Sequence, residues 1–383
     1  MRVFVVAGEP SGDRLGGALM AGLRALVPDV VFDGIGGERM QAEGLVSRFA
    51  MDELSVMGLV EVLPRIFHLR RRIAETAQAV ADFAPDVLIT IDSPDFCLRV
   101  ARQARAKAPV HTVHYVAPSV WAWRPGRAAK MAPVIDHVLA LLPFEPPYME
   151  AAGMDCDFVG HPVVAEPLAT QAEVAMLRRA SGLGAAPVLL VLPGSRRGEV
   201  ERLAPLFGDG AARFLARRPD WRVVVPAAAP VAAQVRAAVA GWPGAPVVID
   251  PGAFDAPTAQ AMKRAAFAGA DLALAASGTV SLELAAAGTP MVIAYDVNRL
   301  TWMVASRMAR TDTVTLVNLV SDTRAVPECL GPECRPERIA ARLEQIEAQP
   351  QAQRLAMEIT MQRLGRGGEA PGLRAARAVL ARM

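Results

Sequence analysis

The 383-residue chain is 52% apolar, enough for two domains with sizeable cores, and its net charge of +2 excludes a whole-chain field that would draw it to nucleic acid. Cys97, Cys156, Cys329 and Cys334 are too scattered for a disulfide framework, which points to a reducing compartment. No run of about 18 uninterrupted apolar residues predicts a membrane span, and the strand-and-turn chemistry at the start is not that of a secretory leader, so a cytoplasmic protein is expected.

In chain order, short apolar runs predict strands at 2–7, 30–35, 86–91, 110–115 and 137–142, with helical patterns such as 60–83 and 95–107 between them. The first strand runs into Gly8-Glu9-Pro10-Ser11-Gly12-Asp13, a strand-to-helix turn. It lacks the Gly-Lys-Ser/Thr of a P-loop and is not GxGxxG. Ser11 or Asp13 could cap the helix that follows, and Gly12 could let the backbone turn sharply. Glu9 fits that structural role less well. A second glycine turn, Gly34-Ile35-Gly36-Gly37, follows the second strand. The stretch 57–73 mixes apolar residues with Arg65, Arg70, Arg71 and Arg72. It reads either as a helix lying on an anionic surface or as a domain helix with a solvated basic end.

The strand 86–91 ends at Asp92 in Ile91-Asp92-Ser93-Pro94-Asp95-Phe96. A carboxylate at a strand's carboxyl end is a general-base candidate; equally, Asp92 or Ser93 could cap a helix starting at Pro94. His114–Arg127 gathers Tyr115, Trp121, Trp123, Arg124 and Arg127, suited to sugar or phosphate contacts or to a packed loop. Asp155-Cys156-Asp157 resembles a metal-holding Asp-x-Asp but leads into a strand at 157–159, so no metal is expected there. His161 reads as structural more readily than as a ligand.

A link at 160–186, containing a small helix at 171–180, leads to a second half with the same strand-turn-helix grammar. Strands are predicted before Gly194, within 221–230 where one leads into a helix, at 245–250, before Ser277 and at 291–297, and the last 50 residues read as helical with a glycine break at 365–368. Continuous apolar strands alternating with helices imply parallel sheets covered on both faces. The expected architecture is α/β: two Rossmann-like domains with parallel sheets facing a central cleft, and a helical C-terminal tail. Domains are expected at 1–165 and 166–345, with the tail at 346–383 packing back on the first domain or on a partner protomer. Two turns of the second half, Gly194-Ser195-Arg196 and Ser277-Gly278-Thr279, each follow a strand and open a helix. Such turns offer free N–H groups and a partial positive charge to a diphosphate. Arg196 could clamp it, and Glu283 is placed to accept hydrogen bonds from a ribose. Each turn could also be an ordinary capped helix start.

Taken together, GEPSGD, MGLVEVL, IDSPDF, HYVAPSVWAWR, LPFE, FVGHP, LPGSRRGEVE and ASGTVSLELA follow the order and spacing of the lipid-A-disaccharide synthase family, which the chain resembles from about residue 1 to about 320. The opening motif departs from that pattern at Pro10, and the tail is more divergent. The resemblance implies an inverting GT-B glycosyltransferase. It would transfer a sugar from UDP-2,3-diacylglucosamine to the 6-hydroxyl of 2,3-diacylglucosamine 1-phosphate. Asp92 would be the base. Gly194, Ser195, Arg196, Ser277, Gly278, Thr279, Glu283 and Asn318 would form the UDP side, and Glu9, Ser11, Gly12 and Asp13 the acceptor side, with Ser11 and Asp13 nearest the sugar. Met57, Val60, Leu63, Phe67, Arg70, Arg71 and Arg72 would contact acyl chains or the anionic inner face of the cytoplasmic membrane, as in a peripheral protein. The resemblance implies no cofactor, metal or nucleic-acid partner, and it is compatible with a homodimer.

Overall fold

The computed structural model describes residues 1–54 and 66–383, which divide into two compact units. Met57, Val60 and Leu63 lie outside the described residues. The first unit comprises Met1–Ala165 with Leu364–Met383, and the second Glu166–Arg363.

The strands of the first unit are β1 Arg2–Ala7, β2 Val31–Ile35, β3 Val87–Ile91, β4 His111–Tyr115, β5 His137–Ala140 and β6 Asp155–Phe158. They form one parallel sheet in the order β2-β1-β3-β4-β5-β6. Side chains alternate across it, so Val3, Val5 and Ala7 enter the core beneath the helix Pro10–Leu26 while Phe4 and Val6 enter the core on the other face. Both faces are buried, which is why the central strands read as continuous apolar runs rather than alternating ones.

The second unit carries β7 Val188–Leu192, β8 Arg222–Pro226, β9 Val247–Ile249, β10 Leu272–Ala276, β11 Met291–Tyr295 and β12 Glu328–Leu330. Its parallel order is β12-β11-β10-β7-β8-β9. The edge strand β12 escapes sequence reading because it has only three residues and no apolar run. The expected small helix at 171–180 is the helix Gln171–Ala180, closed by a reciprocal capping box between Thr170 and Glu173.

Residues 346–383 are divided between the units rather than forming one tail. The helix Gln351–Arg363 belongs to the second unit: the buried Gln353 amide donates to the Met291 carbonyl at 2.9 Å and accepts from the Met291 N–H. The helix Pro371–Ala381 belongs to the first, where it lies against Pro10–Leu26. That approach requires Gly22, because a Cβ there would come within 2.7 Å of the Gly372 carbonyl.

Candidate functional site

In a doubly wound sheet, ligands bind beyond the carboxyl ends of the strands, where the winding changes direction. In the first unit that point lies between β1 and β3, whose last residues Ala7 and Ile91 are paired. The GEPSGD turn and Asp92 therefore emerge side by side. Gly8 permits this closeness, since a Cβ on it would meet Ser93 Oγ at 2.8 Å. Gly12 packs over the same strand ends, its missing Cβ 3.4 Å from the Ile91 carbonyl oxygen.

Asp92 and Ser93 have φ of 51° and 41°, left-handed values that cost non-glycine residues about 1 kcal/mol or more each. Among the described residues, the cap residue Ser93 makes no side-chain cap bond to the helix Pro94–Lys107. Among the described residues, the half-buried Asp92 carboxylate has one hydrogen-bond donor, Ser11 Oγ at 3.5 Å. The capping alternative for these two residues is thus not realised, and the strained turn leaves the carboxylate largely uncommitted.

Asp13 behaves differently from the expectation that placed it beside a sugar. It is 5% exposed, and its carboxylate accepts from the N–H groups of Gly37 at 2.8 Å, Arg39 at 2.9 Å and Met40 at 3.0 Å. It closes the start of the short helix Glu38–Ala42 from another part of the chain. The aromatic loop divides. Trp121 is packed, donating from Nε1 to Glu145 at 3.2 Å and meeting Phe144 edge-on at 5.2 Å. Trp123 is exposed, with the Arg124 guanidinium 4.1 Å from its ring centre.

His114, His161 and Glu145 are among the groups of the first unit whose protonation burial shifts. Burial lowers His114 to about 4, and burial with the nearby Arg14 lowers His161 to about 4. Burial pushes the Glu145 carboxyl up to about 7. The unfolded chain takes up protons on the two histidines as pH falls through 6.5, while the folded chain does so only near 4. Each therefore costs stability progressively below pH 6.5, reaching about 3 kcal/mol once pH is under 4. Glu145 runs the other way, since its raised value favours the folded state at low pH and that gain is lost as pH rises from 4.5 through 7. These two histidines outweigh the carboxyl, and the buried His137, also lowered by burial, adds to them, so denaturant titrations are expected to lose about 3 kcal/mol or more between pH 7 and 4. Glu145→Gln should steepen that loss; a flat profile would show that the histidines are not held neutral.

In the second unit the winding reverses between β7 and β10, where Leu192 pairs with Ala275. This brings Gly194-Ser195-Arg196 and Ser277-Gly278-Thr279 to one cavity of about 620 Å³, which Lys263, Phe267 and Glu283 also line. The two turns differ in availability. The Glu199 carboxylate already accepts from the N–H groups of Ser195 at 3.1 Å and Arg196 at 3.3 Å, and from the Arg196 guanidinium at 3.3 Å. Gly194 must be glycine, for φ is 114° and a Cβ would strike Glu199. The expectation of two open anion sites is corrected on this point, because a resident carboxylate fills the first. Among the described residues, the cap residue Thr279 makes no side-chain cap bond to the helix Val280–Ala287, and Gly278 has open space where a Cβ would point. This second turn is the one open to an anion.

Asn318 is not among the cavity's lining residues. Its buried amide donates to Thr313 at 3.2 Å and to the Val326 carbonyl at 2.9 Å, and accepts from the Val326 N–H at 2.9 Å. It ties a loop to the start of β12, and those bonds account for its polarity without a ligand.

Residues 3–367 match the family model for lipid-A-disaccharide synthetase. The chain is 72% identical over 383 residues to the lipid-A-disaccharide synthase of Ruegeria pomeroyi, covering all of this chain and 96% of that one. The chain belongs to the lipid-A-disaccharide synthetase family. The Rhodospirillum centenum member is 47% identical over 384 residues, covering 99% of this chain and 94% of its own. Among solved structures, the UDP-GlcNAc 2-epimerase of Neisseria meningitidis superposes with a TM-score of 0.66 at 12% identity, covering 100% of this chain and 99% of that one. That likeness is one of fold, and it agrees with the GT-B architecture of two Rossmann-like units.

Other expected contacts of this family member resolve as follows. Arg72 is engaged internally: its guanidinium meets Glu53 at 2.8 and 2.9 Å and Glu75 at 2.9 Å, and it stacks 4.4 Å over Phe49. It is therefore a packing residue and not a surface cation. Arg71 pairs with Glu75 at 2.6 Å while remaining exposed, Arg70 is exposed, and Phe67 is 78% exposed. Asp155 pairs with Arg382 at 3.0 Å, and Asp157 with His137 at 2.9 Å, so both carboxylates of the Asp-x-Asp are taken. No described helix is long and apolar enough to cross a membrane. Sequence reading gives no role to Lys263, and names Glu145 and Glu199 only within the motifs LPFE and LPGSRRGEVE. The spacing of Glu199, three residues into its helix, is in addition a legible capping signal.

Proposed function

We propose that the protein transfers 2,3-diacylglucosamine from UDP-2,3-diacylglucosamine to the 6-hydroxyl of 2,3-diacylglucosamine 1-phosphate. The products are the β-1,6-linked disaccharide 1-phosphate and UDP. The observation that carries the donor side is the uncapped Ser277-Gly278-Thr279 helix start opening on a cavity that Arg196 and Glu283 also line. The family's named activity supplies the chemistry. The acceptor oxygen attacks the anomeric carbon as the bond to UDP breaks, so the configuration inverts. Asp92 takes the hydroxyl proton, with Ser11 orienting its carboxylate. The departing diphosphate gains negative charge, which Arg196 and the helix N–H groups meet. Glu283 accepts from the ribose. Glu9 and Gly12 contribute to the acceptor side, and Asp13 supports it from beneath.

The reading is tested by measuring UDP release in mild detergent from both acylated substrates, from each alone, and from UDP-N-acetylglucosamine. Release that requires the acylated pair supports it; release from UDP-N-acetylglucosamine alone overturns it in favour of another nucleotide-sugar reaction.

The acyl chains of both substrates require access to a bilayer. Phe67, Arg70 and Arg71 form the described part of a contact with the anionic inner face of the cytoplasmic membrane. Arg70→Glu with Arg71→Glu is expected to weaken sedimentation with anionic vesicles by about tenfold or more at low salt, and by less at high salt. Binding unchanged at both salts removes the patch from the account. A homodimer is part of the same reading, and equilibrium sedimentation tests it.

A further inference from the structure

We propose that Lys263 is a specificity-determining residue of the donor cavity: it holds the Glu283 carboxylate where that group accepts the ribose hydroxyls. The proposal rests on the reading of this cavity as the site of a uridine nucleotide, and it adds a residue that the sequence does not single out. Lys263 belongs to the helix Ala256–Ala268 and Glu283 to the first turn of Val280–Ala287. Their pairing is therefore made by the fold and not by local spacing. Lys263 Nζ stands 2.5 Å from Glu283 Oε2, and both residues line the cavity. The same ammonium lies 5.3 Å from the centre of the Phe267 ring, one turn further along its helix. Two contacts thus fix the end of a side chain that is otherwise long and flexible.

Two physical reasons make this pair a determinant of ligand choice. Glu283 lies one turn from the N–H groups open to a diphosphate, so an unbalanced carboxylate would repel the ligand that the turn attracts. The ammonium offsets that repulsion locally and holds the carboxylate in place as an acceptor. The identity of the cation matters as well. This chain uses lysine at only three of its 41 basic positions, yet has lysine here. A guanidinium fork matches both oxygens of a carboxylate, whereas an ammonium is a point donor. Lys263 meets Oε2, which leaves Oε1 as the oxygen the proposal assigns to the ligand's hydroxyls.

Calorimetric titration of the full-length protein with UDP and with 2′,3′-dideoxy-UDP tests this. Wild-type protein should prefer UDP by about 10- to 100-fold, the worth of hydrogen bonds to a charged acceptor. Glu283→Gln should lose most of that preference. Lys263→Met should reduce it to about threefold or less while binding dideoxy-UDP within about threefold of wild type. Equal loss of affinity for both nucleotides, with the preference kept, would make Lys263 a phosphate contact and overturn the proposal. An unchanged Lys263→Met would overturn it as well. If wild type and Glu283→Gln alike fail to distinguish the two nucleotides, the ribose reading of Glu283 falls, and the proposal with it.

Discussion

Replacing Asp92 by asparagine should lower UDP formation from the paired acylated substrates by about 10²- to 10⁴-fold while leaving UDP affinity within about twofold. Asparagine keeps the size of the side chain and an oxygen that can accept from Ser11, but it cannot take a proton from the attacking hydroxyl. The geometry makes this a clean test. The Asp92 carboxylate does not cap its helix, and its hydrogen bond from Ser11 is long, at 3.5 Å. Its removal should therefore cost little stability. The left-handed φ of 51° is also one that asparagine adopts readily. Ser11→Ala should have a smaller effect, on turnover rather than on UDP binding, because serine only orients the base. Retained turnover in Asp92→Asn would transfer the proton-accepting role elsewhere. Parallel loss of turnover and of thermal stability would make Asp92 a structural residue.

Asp13→Ala should destabilise the first unit by about 3 to 5 kcal/mol, with UDP affinity unchanged. Three N–H groups of one short helix start converge on this carboxylate, and hydrogen bonds to a charged acceptor are worth about 1.5 to 3 kcal/mol each. They cannot all find water, because the carboxylate is nearly buried and Gly37 presses against it: a Cβ there would lie 2.7 Å from Asp13 Oδ2. Asp13→Asn should recover part of the loss, its one oxygen serving some of the donors while its NH₂ opposes another. Urea unfolding of the three proteins measures this. A variant that unfolds like wild type but turns over slowly would restore Asp13 to the acceptor site.

These two carboxylates show how far local information reaches. Asp92 directly follows β3 and Asp13 lies in the first turn of the helix after β1, and by sequence each is also a candidate helix cap. What separates them is the partner each one finds. Asp13 meets residues 24 to 27 positions away, brought to it by the crossing from β1 to β2. Asp92 and Ser93 adopt left-handed backbone that no composition rule demands, and Asp92 finds only a long bond from Ser11 among the described residues.

The sequence by itself determined the alternation of strand and helix, the repetition of that grammar in two halves, and the ordered motifs that mark the family. Those features are local: apolar runs, glycine turns and helix-start prolines act over a few residues and are written there directly. The tertiary structure alone decided which polar groups remain available to a ligand. It gave Arg72 to Glu53 and Glu75, Asn318 to Thr313 and Val326, and Glu283 to Lys263, and it let Glu199 occupy the first of two similar turns. A charged or amide side chain can offer a ligand only the bonding capacity that the fold leaves unused. Most of these partners come from other elements, so that choice could be read only after the chain had folded.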